Sequence, residues 1–420
     1  MLEQLKIRAY RLLRATERYT KTDMVYLARG GSWMFAGQVL QAALGFGLAI
    51  AFANLIGREE YGNYKYILSL ASVLGAFSLA GLGTFVTQSV GRGLEGSLRY
   101  SSRLTLIWSL PAIVVALAGS AYYALAGNSL LSLSLIIIAL ATPLINSAQV
   151  YSSFLAGKRD FRLASFCNVS ISFFQATCLA LALLLHASLL ALVFTYFAAN
   201  AIATIACYFL ILKLYHPNDL LNKAMAHFSI KLSIAGVAAI AVGQLDKILI
   251  FHFVGAAPVA VYALAQAPVI QMRALLKLST PLSLPKLAAV DRQTIAKTLG
   301  GKITRFTLVI GLMVGVYILA APFLFRLAFP QYLDAIPYSQ AFALILLFFP
   351  KKLLSMTMYA QEEMRGQYAL TLSTPTAQVI LLLALVPFIG IWGAIIAEIG
   401  ANFAANTLAN YYFRGFKRGT

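Results

Sequence analysis

Residues 130–162 of the chain read LLSLSLIIIALATPLINSAQVYSSFLAGKRDFR. No charged side chain occurs before Lys158, and Arg159 and Arg162 follow it closely. About 20 apolar residues are enough for a helix to cross a hydrocarbon core of about 30 Å. Basic residues directly after such a stretch are typical of a helix that ends on the cytoplasmic face of a membrane. The stretch therefore predicts a transmembrane helix over residues 130–156.

The same pattern recurs along the whole chain. Of its 420 residues, 60% are hydrophobic and 11% are charged, whereas soluble globular proteins carry about 25% charged residues. A transmembrane barrel is excluded, because its strands would alternate apolar and polar residues over about ten positions. We therefore predict an all-α polytopic membrane protein with about 12 transmembrane helices. The predicted spans are residues 33–55, 65–90, 104–126, 130–156, 164–185, 189–212, 232–254, 258–284, 304–326, 335–360, 367–388 and 390–412.

The basic residues are distributed unevenly between the two sides of these spans. The formal net charge is +19, and most of the 33 lysine and arginine residues fall in the termini and in alternate connections. Only Arg58, Lys65 and Arg326 fall in connections on the other side. Because positively charged loops stay in the cytoplasm, we expect both termini to be cytoplasmic. The charge then reflects topology and attraction to anionic lipid headgroups rather than nucleic-acid binding.

The two halves of the chain carry a weak internal repeat. Gly57 and Tyr64 follow the first span, and Gly255 and Tyr262 follow the seventh span at the same spacing. Six spans in each half predict two parallel bundles with a binding site between them. The predicted division is a basic amphipathic cytoplasmic segment at 1–32, an N-terminal six-helix bundle at 33–213, a cytoplasmic linker at 214–230, a C-terminal six-helix bundle at 231–412 and a cytoplasmic tail at 413–420.

Five cations fall inside spans of the C-terminal half, where each costs roughly 3 kcal/mol or more at the centre of a bilayer. Such cations indicate a wet cavity that receives an anion, and a diphosphate would suit them. Gln266 and Arg273 share a helix face with Lys277, and arginine binds two phosphate oxygens well. Alternatively, Arg273 pairs structurally with an acid and Lys277 reaches the membrane surface. The five cations are Lys247, Arg273, Lys277, Lys351 and Lys352.

Lys351 and Lys352 follow Pro350 and are consistent either with a loop or with the interior of the tenth span. The repeat favours the interior, because it places the end of that span near Ala360. Asp246 and Glu398 are candidates for ion coupling, although either carboxylate could instead be a permanent partner of a cation. Gln244, Lys247, Gln266 and Asn402 are expected to line the same cavity.

The spans of the N-terminal half carry only neutral polar residues near their middle. These side chains are expected either to hydrogen-bond sugar hydroxyls or to join helices to one another. Gly81-Leu82-Gly83 indicates a flexible or closely packed point of the second span. No metal-ligand spacing, nucleotide-binding glycine loop or catalytic triad is present, so we expect no enzyme activity, metal or organic cofactor. The neutral residues are Gln38, Gln41, Asn146, Gln149, Gln175 and Asn200.

Five short motifs resemble the oligosaccharide flippases of the polysaccharide transporter family, within the multidrug/oligosaccharidyl-lipid/polysaccharide exporter superfamily. They are residues 28–33 (ARGGSW), 55–64 (LIGREEYGNY), 81–84 (GLGT), 244–250 (QLDKILI) and 331–337 (QYLDAIP). Only Asp246 is carried over from the fourth motif. Many relatives have a basic residue after the second-span glycines, where this chain has Thr87 and Gln88.

The resemblance implies a V-shaped pair of six-helix halves in the bacterial inner membrane. It implies flipping of an undecaprenyl-diphosphate-linked oligosaccharide from the cytoplasmic to the periplasmic leaflet, for O-antigen, capsule or exopolysaccharide assembly. Proton or sodium coupling is usual in the superfamily. The implied partners are the lipid-linked oligosaccharide, membrane lipids, a polysaccharide polymerase and glycosyltransferases.

Three alternatives remain at this point. A multidrug exporter of the same superfamily would usually carry cations, which a cationic cavity disfavours. A flippase for the peptidoglycan precursor typically has more helices than this chain supplies. A membrane polymerase or ligase of glycans usually carries a large periplasmic loop, and the loops on that side of the chain are short.

Overall fold

The computed structural model describes residues 24–78, 82–277, 292–351, 354 and 364–418, and these residues are helical with short connections. No strand occurs within these ranges, which confirms the predicted all-α class. The α-helices are α1 (Met24–Leu55), α2 (Arg58–Ala76), α3 (Leu82–Gly91), α4 (Ser97–Trp108), α5 (Leu110–Leu125), α6 (Ser129–Lys158), α7 (Phe161–Leu184), α8 (Leu189–Tyr215), α9 (Lys223–Phe253), α10 (Ala256–Lys277), α11 (Arg292–Ala328), α12 (Ile336–Ala343) and α13 (Met364–Arg418). Two 3₁₀ segments, Pro330–Ala335 and Leu344–Lys351, flank α12.

Nine segments of the described chain are long and apolar enough to cross a membrane. The ninth, Ser373–Tyr412, spans 40 residues and covers the last two predicted spans. The backbone leaves the helical region at Gly390 (φ 57°), and α13 folds back on itself there. A Cβ added to Gly400 would lie 3.0 Å from Leu381 Cδ1, which places the two parts of α13 side by side. Glycine suits this turn because it adopts positive φ without steric cost.

The second predicted span, residues 65–90, differs from expectation because it is interrupted. α2 ends at Ala76, Phe77 and Ser78 form a turn, and the described part of α3 begins at Leu82. Residues 79–81, which include Gly81, lie outside the described part of the chain. Glycine has a low helix propensity, and Gly81 and Gly83 fall at the interruption. The tenth predicted span also changes character, since it continues from α12 into the 3₁₀ segment Leu344–Lys351.

The connections 56–57, 254–255, 329–335 and 390 meet at one end of the bundle, which we call the short-loop end. Asn54 Nδ2 donates a hydrogen bond to the Ala328 carbonyl at 3.0 Å there. Phe46 packs edge-on against Phe329, with ring centroids 5.6 Å apart. One apolar core includes Phe52 and Tyr61 from the N-terminal half together with residues of the C-terminal half. The two halves are therefore tightly packed against each other at the short-loop end.

The opposite end, which carries residues 92–96, 159–160 and 216–222, is called the long-loop end. Residues 216–222 connect α8 to α9, a shorter connection than the predicted linker at 214–230, because both helices continue into the polar sequence. Asn218 Oδ1 accepts a hydrogen bond from the Glu95 backbone N–H at 3.1 Å, and the Asn218 N–H donates to Glu95 Oε2 at 3.3 Å. This connection is therefore fastened to the N-terminal half.

Candidate substrate-translocation site

Asp246 lies on α9 and is buried, with 5% of its surface exposed. Its Oδ2 accepts hydrogen bonds from the Tyr262 hydroxyl at 2.7 Å and from Gln266 Nε2 at 3.3 Å. Its Oδ1 accepts one from the Lys247 backbone N–H at 2.8 Å. The Lys247 ammonium lies 3.7 Å from the same oxygen. A buried carboxylate with three donors and a nearby cation is well compensated for its loss of hydration.

Arg273 and Glu398 form a second ion pair, between α10 and the second part of α13. Arg273 Nη2 lies 3.0 Å from Glu398 Oε1. The arginine side chain is 31% exposed and the glutamate side chain 16%. Asn402, one turn beyond Glu398, donates a hydrogen bond to the Glu398 backbone carbonyl at 2.8 Å. The pair is thus partly accessible, although it lies within spans.

The two pairs belong to one charged cluster. Glu398 interacts electrostatically with Asp246 and Lys247 as well as with Arg273. Tyr262 and Gln266 reach the cluster from the same face of α10 as Arg273, because spacings of four and seven residues fall on one side of a helix. Gln244 is half-buried on α9 nearby in sequence. The sequence left open which acid pairs with which cation. In the structure Asp246 pairs with Lys247, and Arg273 pairs with Glu398.

Three of the four lysine and arginine residues predicted to bind the diphosphate fall outside the described side chains. The side chains of Lys277 and Lys351, and the whole of Lys352, lie outside the described residues. Within the described part of the cluster, two cations face two carboxylates, and their charges balance. The predicted positive excess of the cavity therefore depends on these three lysines.

The cluster lies close to where α10 meets the N-terminal half. A Cβ added to Gly45 of α1 would lie 3.7 Å from Gln271 Nε2, two residues before Arg273. A Cβ added to Gly62 of α2 would lie 1.8 Å from the Ala256 carbonyl oxygen at the start of α10. Helix α10 therefore runs along the seam between the halves, and it contributes Arg273 to the charged cluster.

The sequence did not indicate that Tyr262 donates a hydrogen bond to Asp246. It identified this tyrosine only as a marker of the internal repeat, because a contact between two helices leaves no signal in a single sequence. It also missed Ser78, which accepts a hydrogen bond from Asn146 Nδ2 at 3.1 Å beside the interruption between α2 and α3. A serine next to the Gly81-Leu82-Gly83 motif was the only available indication.

Comparison with known proteins bears on the family and the fold of the chain. The family described as "Polysaccharide biosynthesis protein" matches residues 27–289 of the chain. No curated protein sequence shows significant similarity to the chain. Among solved structures, the chain resembles the inward-facing conformation of a multidrug resistance MATE family transporter of the MOP superfamily, with a TM-score of 0.69, 14% identity, and coverage of 91% of this chain and 96% of that one.

Two further structures have the same fold. The outward-facing conformation of a MATE family transporter gives a TM-score of 0.62 at 14% identity, covering 94% of this chain and 96% of that one. A MOP superfamily transporter from Pyrococcus furiosus, described as having a binding pocket of reverse polarity, gives 0.63 at 15% identity, covering 93% and 96%. At such identities the likeness establishes the fold. The chain belongs to the polysaccharide biosynthesis protein family and has the V-shaped helical fold of MOP superfamily transporters.

Proposed function

We propose that this protein is a flippase that moves an undecaprenyl-diphosphate-linked oligosaccharide from the cytoplasmic to the periplasmic leaflet by alternating access. The family supports a role in polysaccharide biosynthesis, and the fold supports a transporter. The product would feed O-antigen, capsule or exopolysaccharide assembly. On this proposal the protein lies in the bacterial inner membrane with both termini cytoplasmic, alongside glycosyltransferases and a polysaccharide polymerase.

The observation that carries the proposal is the Arg273–Glu398 pair. Arginine offers a planar fork of donors that fits phosphate oxygens as well as carboxylate oxygens. Arg273 is partly exposed, so an arriving diphosphate can compete with Glu398 for the same guanidinium. Lys277, Lys351 and Lys352 would add positive charge on this proposal. Substrate binding then exchanges one anion for another, without leaving a bare cation in the membrane.

The exchange also links substrate binding to the charge state of Glu398. When the diphosphate occupies Arg273, Glu398 loses its partner and would take up a proton or a sodium ion. Asp246 is the second candidate for coupling, but its oxygens are already engaged by Tyr262, Gln266 and Lys247. We therefore place coupling at Glu398 and a structural role at Asp246.

The closed short-loop end indicates the direction of entry. The halves pack tightly there through Phe46, Phe329 and the Asn54 hydrogen bond. With that end on the periplasmic side, the substrate enters from the cytoplasmic side.

The proposal is tested by replacing Arg273 with alanine in the native strain. Surface polysaccharide should be lost while the protein remains in the membrane at its normal level. Arg326→Ala is the matched control, because Arg326 is an exposed arginine of the same half near the short-loop end. Normal polysaccharide in Arg273→Ala cells would contradict the assignment of Arg273, and normal polysaccharide in a deletion strain would contradict the function itself.

A multidrug exporter is the second candidate, because solved relatives of the fold are multidrug transporters. The charge-balanced pairs of the C-terminal half do not by themselves select against organic cations. Sensitivity of the deletion strain to cationic drugs, together with normal surface polysaccharide, would favour this candidate. Loss of polysaccharide without a change in drug sensitivity would exclude it.

A further inference from the structure

Two adjoining cavities lie in the N-terminal half, away from the charged cluster. One has a volume of about 310 Å³ and the other about 260 Å³, and both are lined by Gly75 and Asn146. The first reaches the low end of the range of roughly 300–1,000 Å³ that is typical of ligand sites. Ile240 of α9 forms part of the wall of the second cavity, so this cavity lies at the seam between the halves.

The first cavity lies at the interruption between α2 and α3. Gly75 and Ser78 line it from one side of the break, and Leu82 and Gly83 from the other. Asn146 Nδ2 donates hydrogen bonds to Ser78 Oγ at 3.1 Å and to the Gly75 carbonyl at 3.4 Å. Backbone that leaves the helix at membrane depth is tolerated only where protein or a wet cavity surrounds it. In transporters such breaks mark substrate sites.

The walls of both cavities offer unused hydrogen-bonding atoms. Thr142 Oγ1 is buried and has no hydrogen-bond partner. Asn200 Oδ1 accepts from Thr204 Oγ1 at 3.0 Å, and no described residue accepts from its amide N–H groups. Gln149 is exposed on the first cavity and makes no hydrogen bond to a described residue. The site therefore presents both donors and acceptors.

None of the described residues that line the two cavities is charged. A wall without cations has no means of binding a diphosphate strongly. A wall so rich in amides and hydroxyls would lose hydrogen bonds to water by holding a prenyl chain. A sugar hydroxyl both donates and accepts, and it matches this mixed set of neutral groups.

We propose that these cavities hold the glycan of the lipid-linked substrate, while the charged cluster across the seam holds the diphosphate. This inference rests on the proposed function and assigns a separate part of the substrate to each half. Asn146 and Asn200 line the second cavity and would hydrogen-bond sugar hydroxyls there, and Gln149 would do so in the first. The length and hydroxyl pattern of the glycan would then be selected in the N-terminal half.

The test uses the full-length protein in proteoliposomes with two defined lipids. One is undecaprenyl diphosphate bearing a single hexose, and the other bears the complete repeat unit of the native strain. Asn200→Leu and Gln149→Leu should each lower flipping of the complete lipid about tenfold, as expected for one or two lost hydrogen bonds. Flipping of the single-hexose lipid should change less than about twofold. Arg273→Ala should lower both.

Gln38→Leu is the matched control, because Gln38 is a neutral polar residue of α1 that lines neither cavity. Gln149 makes no hydrogen bond to a described residue, so its substitution breaks none of those that hold the described fold together. Wild-type flipping by both cavity variants, or an equal loss with both lipids, overturns the glycan site and leaves the proposed function standing. A wild-type protein that flips neither lipid overturns the proposed function, and the glycan site with it.

Discussion

Arg58 Nη1 lies 2.9 Å from Asp334 Oδ2 and thereby joins the N-terminal half to the C-terminal half at the short-loop end. The same guanidinium donates to the Gln331 carbonyl and lies over the Tyr332 ring, 4.9 Å from its centroid. Any motion that opens this end must break these contacts. We therefore expect Arg58 to help hold the short-loop end closed.

We predict that Arg58→Gln shifts the protein towards a state open at the short-loop end. An exposed ion pair and a cation–π contact together stabilise by about 1–2 kcal/mol, so the population ratio should change about tenfold. The measurement is the distance between spin labels at Glu60→Cys and Leu333→Cys, in a background in which Cys167, Cys178 and Cys207 are replaced by alanine. The charge exchange of Arg58→Asp with Asp334→Arg should restore the original distance distribution. An unchanged distance distribution in Arg58→Gln would show that the Arg58–Asp334 pair does not keep the short-loop end closed.

A second prediction concerns the contact between α2 and α10. A methyl group at Gly62 would lie 1.8 Å from the Ala256 carbonyl oxygen, so Gly62→Ala must push the two helices apart. Overpacking of this kind costs about 1–3 kcal/mol. Thermal unfolding in detergent should show the loss.

The control for this substitution is Gly47→Ala, because no described residue outside the adjoining turns of α1 lies within 4 Å of a Cβ added to Gly47. That variant should be as stable as the wild type or more stable, since alanine favours the helix. Equal stability of the Gly62 and Gly47 variants would refute the close approach of α2 and α10.

The third prediction separates a structural role of Asp246 from a coupling role. Asp246→Asn places an amide N–H₂ where donors from Tyr262 or Lys247 already point, and Tyr262→Phe removes one donor. Each should lower the free energy of unfolding by about 2 kcal/mol. Tyr122→Phe, at a 67% exposed tyrosine, should be neutral. If Asp246→Asn retains wild-type stability but transport no longer depends on the ion gradient, Asp246 is a coupling residue.

The fourth prediction concerns the pH dependence of substrate binding. Protonating Glu398 removes the anion that competes for Arg273, so the wild type should bind the lipid diphosphate more tightly as the pH falls. In Glu398→Gln, Arg273 is free of this competition at every pH, and affinity at pH 8 should rise a few-fold. Binding is measured at pH 6 and 8 by tryptophan fluorescence with undecaprenyl diphosphate. The residual pH dependence of Glu398→Gln reports the titration of the lipid itself, and equal slopes in both proteins would exclude Glu398.

Most of the fold could be predicted from the sequence, since hydrophobic length and loop charge determine it. The span predicted at 130–156 became α6 at Ser129–Lys158, with boundaries set by the apolar stretch and the basic residues after it. The interruption of the second span was not predicted, because Leu82, Phe85 and Val86 are as apolar as an unbroken helix requires. Asn146 donates hydrogen bonds to Gly75 and Ser78 beside the break, and a contact between residues so far apart in sequence leaves no signal in the hydrophobic pattern.

The candidate site could be predicted only in part. The cost of burying charge in a membrane identified four candidate functional residues from the sequence, namely Asp246, Lys247, Arg273 and Glu398. It could not decide which carboxylate serves which cation, because pairing depends on how α9, α10 and α13 are rotated. The roles of these residues, and of Lys277, Lys351 and Lys352, stay predictions.

The attachment of residues 216–222 to the N-terminal half affects the mechanics of transport. Asn218 and Glu95 hold this connection down, and Asn222 caps the first turn of α9 through a 3.2 Å hydrogen bond to the Met225 N–H. If the two halves rock against each other, as the proposed function requires, we expect α9 to pivot near Asn222. Asp246 lies further along the same helix, about 36 Å from Asn222 at 1.5 Å per residue. A tilt of a few degrees about Asn222 would therefore move Asp246 by a few ångströms.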